Sequence, residues 1–212
     1  MSIHLILGGA RSGKSAYAEK LATDSGLPVT YIATAQVYDD EFRARVQHHK
    51  DRRLSDWKII EEPHFLSDAL QGNTRGYPLS NSLHEFNSPC IHAGYETSKQ
   101  AASKNVRASK CVIIDCLTLW LAQCICPDCM PENKNENDNL WLEQRAKFLA
   151  ILPTLDAKII IIVSNEVGMG IVPLGEINRQ FQDEQGRLNQ AVAAIADKVS
   201  FIAAGLPIKL KG

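Results

Sequence analysis

The chain has 212 residues, of which 45% are hydrophobic and 22% are charged, so it is long enough for one well-buried domain and short for two. Its 23 basic and 24 acidic residues give a formal charge of -1. The chain therefore lacks the positive electrostatic field of a protein that binds nucleic acid or an anionic membrane surface. The longest strictly aliphatic run, Ile159 to Val163, is far shorter than the roughly 20 residues of a membrane span, so we expect small-molecule partners, no nucleic acid and no membrane span.

Short runs rich in Ile and Val alternate with stretches of helical period along the chain. This pattern is typical of a mainly parallel sheet with helices on both faces, and it predicts an α/β fold. The expected strands are Ile3 to Leu7, Val29 to Ala33, Trp57 to Ile60, Cys111 to Asp115, Lys158 to Ser164 and Val199 to Ala203. A turn after Ala203 should lead to an edge strand that ends near Leu210, since Gly and Pro punctuate this segment.

Helical patterns lie between these strands. They cover Ala16 to Thr23, Asp39 to Arg53, an apolar segment from Leu117, Leu140 to Leu152, and a helix after residue 173. The last helix carries an apolar stripe that we expect to be core, formed by Ile177, Phe181, Leu188, Val192 and Ile195. Arg187 and Asn189 flank the stripe, and we expect them on a solvated surface rather than at phosphate or a neighbouring subunit. We therefore expect one domain over residues 1–212, with an irregular insertion around 72–110.

The start of the chain also bears on its location. The first strand begins almost at the amino terminus, without the basic region and small-residue cleavage site of a secretory signal. Six cysteines without an export signal are expected to be reduced thiols. Both features predict a cytoplasmic protein.

A phosphate-binding motif follows the first strand and leads into the first helix. It matches G-x-x-x-x-G-K-[ST] and consists of Gly8, Gly9, Ala10, Arg11, Ser12, Gly13, Lys14 and Ser15. Glycines let successive backbone N–H groups point at phosphate oxygens, and the helix amino terminus adds partial positive charge. We expect Lys14 to reach the β- and γ-phosphates and the Ser15 hydroxyl to bind Mg²⁺.

A magnesium site beside this loop needs a carboxylate at the end of a neighbouring strand. Asp115 ends the apolar run Cys111 to Asp115 and is the candidate. The competing interpretation is an Asp that acts only as a turn residue or a helix cap.

Two adjacent histidines lie on the predicted helix over Asp39 to Arg53. Helical spacing puts His49 on the apolar face with Phe42 and Val46, whereas His48 lies among charged neighbours. A neutral imidazole can attack an α-phosphate and carry the nucleotide as a phosphoramidate. His48 is therefore the candidate nucleophile, and the competing interpretation is a histidine on a solvated surface.

Six segments together resemble the bifunctional adenosylcobinamide kinase / adenosylcobinamide-phosphate guanylyltransferase family of vitamin B12 assembly. They occur in the order of that family along nearly the whole chain, and the fifth is the most distinctive. The segments are Gly8 to Ser15, Tyr31 to Gln36, Asp39 to Glu41 with Arg45 to Asp51, Asp115 to Leu121, Asn165 to Pro173, and Gly186 to Gln190.

The resemblance implies a P-loop (RecA-like) fold and two reactions. The first is phosphorylation of the aminopropanol hydroxyl of adenosylcobinamide. The second is transfer of GMP from GTP to adenosylcobinamide phosphate through a covalent adduct on His48. GTP, ATP and Mg²⁺ are thus the implied cofactors, and a homotrimer or another homo-oligomer is the implied assembly.

The resemblance also implies nucleotide contacts beyond the phosphate loop. The implied contacts are Thr34, Ala35, Gln36, Asp51, Arg52, Arg53, Leu54 and Glu62. The segment Asn165 to Pro173 follows an apolar strand, so it should lie at the carboxyl end of that strand beside the nucleotide.

Other functions stay open on sequence alone. An enzyme with only the kinase or only the guanylyltransferase activity would have the same motifs. A regulatory GTPase is disfavoured, because Asn133-Lys-Asn-Glu136 lacks the Asp of N-K-x-D and Asp115-Cys-Leu-Thr118 lacks the Gly of D-x-x-G. No motif in the sequence distinguishes an ATP-dependent assembly protein from an enzyme, so this function also stays open. Three cysteines, Cys124, Cys126 and Cys129, form a weak candidate metal site.

Overall fold

The computed structural model describes residues 1–35, 56–73, 110–125 and 140–212. Seven strands of this part of the chain form one sheet with the order β3-β2-β4-β5-β1-β6-β7. All neighbouring strands are parallel except β6 and β7, which are antiparallel. The strands are β1 (Ser2–Gly8), β2 (Val29–Ala33), β3 (Lys58–Glu61), β4 (Cys111–Asp115), β5 (Ile159–Val163), β6 (Lys198–Ala203) and β7 (Leu206–Lys211).

Five α-helices accompany the sheet in the described residues. They are α1 (Lys14–Asp24), α2 (Leu66–Gln71), α3 (Leu117–Ile125), α4 (Leu140–Ile151), which continues into a 3-10 turn at Leu152–Thr154, and α5 (Glu176–Ile195). No periodicity predicts α2, because six residues span fewer than two helical turns. Within the described ranges, no helix has the length and apolarity that a membrane crossing requires.

The α/β fold and its strands are confirmed. Each strand expected from the apolar runs is present with ends that differ by at most one residue from the expectation. The antiparallel edge strand after the Gly205 turn is also present, paired with β6 from Val199 to Ala203. The runs are easy to locate in the sequence because central parallel strands are apolar on both faces.

Side chains alternate between the two faces of the sheet, and each face has its own core. One face is covered by α1, whose Ala18 and Ala22 pack against Tyr31, Ile113 and Ile161. The opposite face is covered by α2 to α5 and contains the larger core, with Leu5, Ile32, Ile114 and Ile162 from the strands. A residue's position in a strand therefore decides which helix layer it meets.

Aromatic side chains fill the larger core. The Trp120 ring lies 5.2 Å from that of Trp141 and 5.1 Å from that of Phe148, centroid to centroid, both in edge-to-face geometry. Both indole N–H groups have acceptors, since Trp120 Nε1 donates to the His64 carbonyl at 2.8 Å and Trp141 Nε1 donates to Glu184 Oε2 at 2.7 Å. Such partners let indoles be buried without an unpaired donor.

The expectation that the whole apolar stripe of α5 is core is wrong at both ends of the helix. Leu188 and Val192 are fully buried and Phe181 packs against the core, but Ile177 is 46% exposed and Ile195 is 40% exposed. A helix of 20 residues is about 30 Å long, whereas the strands beneath it are only about 17–23 Å long. The two ends therefore extend beyond the sheet.

Truncation of Phe148 tests the packing of the aromatic cluster. Phe148→Ala should lower the free energy of unfolding by about 3–5 kcal/mol, because a fully buried ring is replaced by a cavity. Leu142→Ala is the matched control on the same helix, since Leu142 is exposed, and it should change that free energy by no more than about 0.5 kcal/mol. Urea unfolding followed by tryptophan fluorescence measures both, and equal losses would contradict this packing.

Candidate nucleotide site

The phosphate motif forms a tight loop between β1 and α1. Gly8 has a φ of 150°, and a Cβ atom there would lie 2.4 Å from the Ile202 carbonyl oxygen. Gly13, at a φ of 100°, precedes the first turn of α1. The Gly205 N–H donates to the Ser12 carbonyl at 2.8 Å, so the loop rests against the turn between β6 and β7.

Lys14 folds back over this loop. Its ammonium donates to the Gly9 carbonyl at 2.5 Å and contacts Ser12 Oγ at 3.5 Å, and the residue is buried. Burial lowers the pKa of Lys14, and the negative charge of Asp115 opposes that shift. Lys14 and Asp115 are therefore close enough to interact electrostatically.

The strand that ends at Asp115 occupies a different position in the sheet from the one expected. It does not end a strand adjacent to β1, because β5 lies between β1 and β4. Asp115 instead shares the sheet face of Ile113, which packs under α1, because residues two apart in a strand point to the same side. This alternation directs the carboxylate towards the amino-terminal end of α1.

The donor atoms here fit a magnesium ion better than a metal that needs a full protein cage. Asp115 offers a carboxylate, and Ser15 offers a hydroxyl in the first turn of α1. Among the described residues, no group of three or more His, Cys, Asp or Glu side chains could hold a metal. Mg²⁺ is usually held by one or two protein oxygens together with water and substrate phosphates.

Thr34 and Ala35 lie just beyond β2 at the same end of the sheet. Thr34 is fully buried, and its hydroxyl donates to the Cys116 carbonyl at 2.7 Å and accepts from the Cys116 N–H at 2.9 Å. These bonds tie the end of β2 to the end of β4. They hold Thr34 next to Asp115, while a nucleotide contact from Thr34 or Ala35 stays a prediction.

Glu62 is buried just beyond β3. Its Oε1 accepts from the backbone N–H groups of His64 at 3.1 Å and Phe65 at 2.9 Å. The carboxylate thus supports the turn into α2. The family resemblance implies a nucleotide contact for Glu62, and that role stays a prediction.

The segment after β5 lies at the carboxyl end of that strand beside the phosphate loop, where the Glu166 N–H donates to the Gly8 carbonyl at 3.0 Å, and its position beside a nucleotide stays a prediction. Buried side chains hold its first residues. Ser164 Oγ donates to Asn189 Oδ1 at 2.7 Å, and Asn189 Nδ2 donates to the Asn165 carbonyl at 3.1 Å. Gln185 Nε2 completes the network by donating to Ser164 Oγ at 2.9 Å.

The surface position expected for Asn189 is therefore wrong, since only 5% of it is exposed. Its phase on α5 places it beside Leu188, over the end of β5, where its amide replaces water as the partner of Ser164. Arg187 does lie on the surface, where its guanidinium pairs with Glu184.

Tyr31 begins one of the six segments that carry the family resemblance, but the sequence assigned it no role in the site. Its hydroxyl donates to Asp115 Oδ2 at 2.5 Å. A Tyr in the centre of a predicted buried strand signals such a contact, because a buried phenol needs a hydrogen-bond partner.

Several predicted site residues lie outside the described residues, and these assignments stay predictions. They are Gln36, His48, Asp51, Arg52, Arg53 and Leu54. The predicted helix over Asp39 to Arg53, most of the 72–110 insertion, and Cys126 and Cys129 also lie there.

Cys124 is buried in the larger core, where burial raises the pKa of its thiol to about 12. A metal ligand must be the thiolate, so the position of Cys124 does not support the candidate cysteine metal site.

These features define a P-loop nucleotide-binding protein: a glycine-rich loop between a strand and a helix, a buried lysine on the loop, and an acid at the end of a nearby strand. Comparison with known proteins identifies the particular family. A family model described as Cobinamide kinase / cobinamide phosphate guanyltransferase matches residues 4–97 and 84–210. The chain therefore belongs to this family of transferases.

Three curated relatives match almost the full length of the chain. The Bifunctional adenosylcobalamin biosynthesis protein CobP of Pseudomonas aeruginosa is 40% identical over 98% of this chain and 96% of its own length. The Bifunctional adenosylcobalamin biosynthesis proteins CobU of Escherichia coli and Salmonella typhimurium are 32% and 31% identical, each over 98% of both chains. The family resemblance deduced from six segments is thus confirmed.

Substitution of Gly8 tests the geometry of the loop. Gly8→Ala should lower the free energy of unfolding by about 2 kcal/mol, because its Cβ would meet the Ile202 carbonyl and the backbone would be strained. Gly186→Ala is the control, since a Cβ there meets nothing within 4 Å and the residue is in the interior of α5. Gly186→Ala should raise the free energy of unfolding by about 0.5–1 kcal/mol, because Ala favours a helix interior more than Gly does. Urea unfolding measures both, and an unchanged Gly8→Ala protein would refute the loop packing.

Proposed function

We propose that this chain phosphorylates the aminopropanol hydroxyl of adenosylcobinamide and then transfers GMP from GTP to the resulting phosphate, giving adenosylcobinamide-GDP and pyrophosphate. Both steps use a nucleoside triphosphate bound on the loop from Gly8 to Ser15. The observation that supports a shared site most directly is the electrostatic interaction between Lys14, in the first turn of α1, and Asp115, at the end of β4. Family membership supplies the identity of the acceptor.

In the kinase step, the acceptor hydroxyl oxygen forms a bond to the γ-phosphorus. The bond from that phosphorus to the β-bridging oxygen breaks, and the hydroxyl proton is lost to solvent. Charge accumulates on the leaving diphosphate, and Lys14 together with the backbone N–H groups of the loop stabilises it. The same ammonium that contacts the Gly9 carbonyl in the free protein would then bind phosphate oxygens.

Ser15 and Asp115 would hold Mg²⁺, and the ion would supply positive charge to the phosphates of the bound triphosphate. The two donors come from different elements, the first turn of α1 and the end of β4. Their relative position is fixed by the sheet and by the packing of α1 on it. Either ATP or GTP can be the phosphoryl donor in the kinase step, because both nucleotides carry a γ-phosphate.

In the transfer step, a neutral His48 nitrogen attacks the α-phosphorus and pyrophosphate leaves. A phosphate oxygen of the acceptor then attacks the same phosphorus, and the P–N bond breaks. His48 is outside the described residues, so this role rests on the family resemblance and on its charged surroundings in the sequence. We expect the protein to work as a homotrimer or another homo-oligomer.

Intact mass spectrometry tests the covalent step. The protein should gain the mass of one GMP when incubated with GTP and Mg²⁺ without acceptor, and mild acid should remove it because a phosphoramidate is acid-labile. His48→Ala should show no gain, whereas the adjacent His49→Ala is the matched control and should retain it. Adduct on His48→Ala protein would exclude His48 as the nucleophile.

Phosphorylation of adenosylcobinamide separates the two activities. His48→Ala protein should still phosphorylate the acceptor with ATP or GTP, because the γ-phosphate transfer does not use the histidine. Lys14→Ala should reduce both reactions by about 100-fold or more. Adduct formation without phosphorylation by the unaltered protein would indicate a guanylyltransferase alone, and the reverse would indicate a kinase alone.

A further inference from the structure

Tyr31 and Asp115 form a contact that the two reactions do not by themselves require. Tyr31 lies in the centre of β2, is 2% exposed, and donates its hydroxyl proton to Asp115 Oδ2 at 2.5 Å. Tyr31 is opposite Ile113 in the ladder between β2 and β4, and Asp115 is opposite Ala33. The contact is therefore diagonal across two strands, a distance that a long aromatic side chain can bridge.

The Tyr31 ring is itself held in place. Trp57, which directly precedes β3, stacks on it with 6.4 Å between the ring centroids and 26° between the planes. Both rings belong to the core between the sheet and α1. With the ring packed between sheet and helix, the position of the hydroxyl is determined by the core and not by the phosphate loop.

The backbone of Asp115 is fixed from the same strand. The Thr34 N–H, just beyond β2, donates to the Asp115 carbonyl at 3.1 Å, so Thr34 holds the main chain of Asp115 and Tyr31 holds its side chain. A carboxylate has two oxygens, and a hydrogen bond to Oδ2 fixes the orientation of Oδ1. Partners of this kind, which hold a ligand rather than bind the ion, commonly change metal affinity.

We propose that Tyr31 is a positioning residue that orients the Asp115 carboxylate for the magnesium ion of the bound triphosphate. This inference rests on the proposed function, because it takes Asp115 as a ligand of that ion. A neutral phenol is suited to the task, since it fixes one oxygen without neutralising the charge that attracts the cation. A purely structural Tyr31 would instead satisfy its own hydroxyl and leave metal binding unaffected.

Manganese binding distinguishes these two roles. Mn²⁺ replaces Mg²⁺ at such oxygen sites, and its free concentration can be followed by electron paramagnetic resonance in the presence of the full-length protein and a non-hydrolysable GTP analogue. Tyr31→Phe should raise the dissociation constant for Mn²⁺ by about 10-fold. Affinity for the analogue in EDTA should stay the same, because the proposed role of the phenol acts through Asp115 and the ion, and EDTA removes the ion.

Two further variants complete the experiment. Tyr17→Phe makes the same change on α1, where Tyr17 is partly buried against the same core, and it should leave the Mn²⁺ dissociation constant unchanged. Asp115→Asn should raise it at least as much as Tyr31→Phe. Thermal unfolding of each variant shows whether the protein is folded at the temperature of the measurement.

Each outcome gives a definite answer. A raised constant in Tyr31→Phe and Asp115→Asn, with Tyr17→Phe unchanged, supports the positioning role. If Asp115→Asn weakens Mn²⁺ binding and Tyr31→Phe does not, the inference fails while the proposed metal site stands. If Asp115→Asn has no effect, the proposed metal site fails, and with it the inference.

Discussion

The hydrogen-bond ladder of the parallel sheet is the constraint on which the site depends. Its register places Ala33 opposite Asp115, Asp115 opposite Val163, and Val163 opposite Ile6. Three of these strands, β2, β4 and β5, therefore end at one level, and β1 runs two residues further to Gly8. The residues that follow the four strands meet at one edge of the sheet. A shift by a single residue would turn Asp115 to the other face, away from Lys14, because side chains alternate along a strand.

Polar groups just beyond the strand ends satisfy one another at this edge. The Thr34 hydroxyl bridges to Cys116, Asn189 joins Ser164 to the Asn165 carbonyl, and Glu62 accepts from the turn into α2. The first two contacts bring together residues from different segments, the contact of Glu62 is local, and most of these groups are buried. Buried polar groups that are hydrogen-bonded to one another make a rigid base, and a rigid base suits a site that must hold the substrates of two reactions in one geometry.

Much of the fold could be predicted from the sequence because its signals are local. Central strands such as Ile159–Val163 are short apolar runs, and the edge strand is preceded by a Gly turn. The phosphate loop is recognisable because only glycine accepts the backbone of Gly8 and Gly13. The short helix α2 gave no periodic signal, and the long helix α5 gave one that extended past its buried part.

The sequence by itself determined the class of fold, the phosphate loop with Lys14 and Ser15, and the family, because each depends on residue types at fixed spacing along the chain. Tertiary structure alone decided that β5 separates β1 from β4, that Tyr31 donates to Asp115, and that Asn189 is buried against Ser164. These contacts join residues between 25 and 84 positions apart. Spacing along the chain does not encode such pairs; strand order, register and helix packing bring them together.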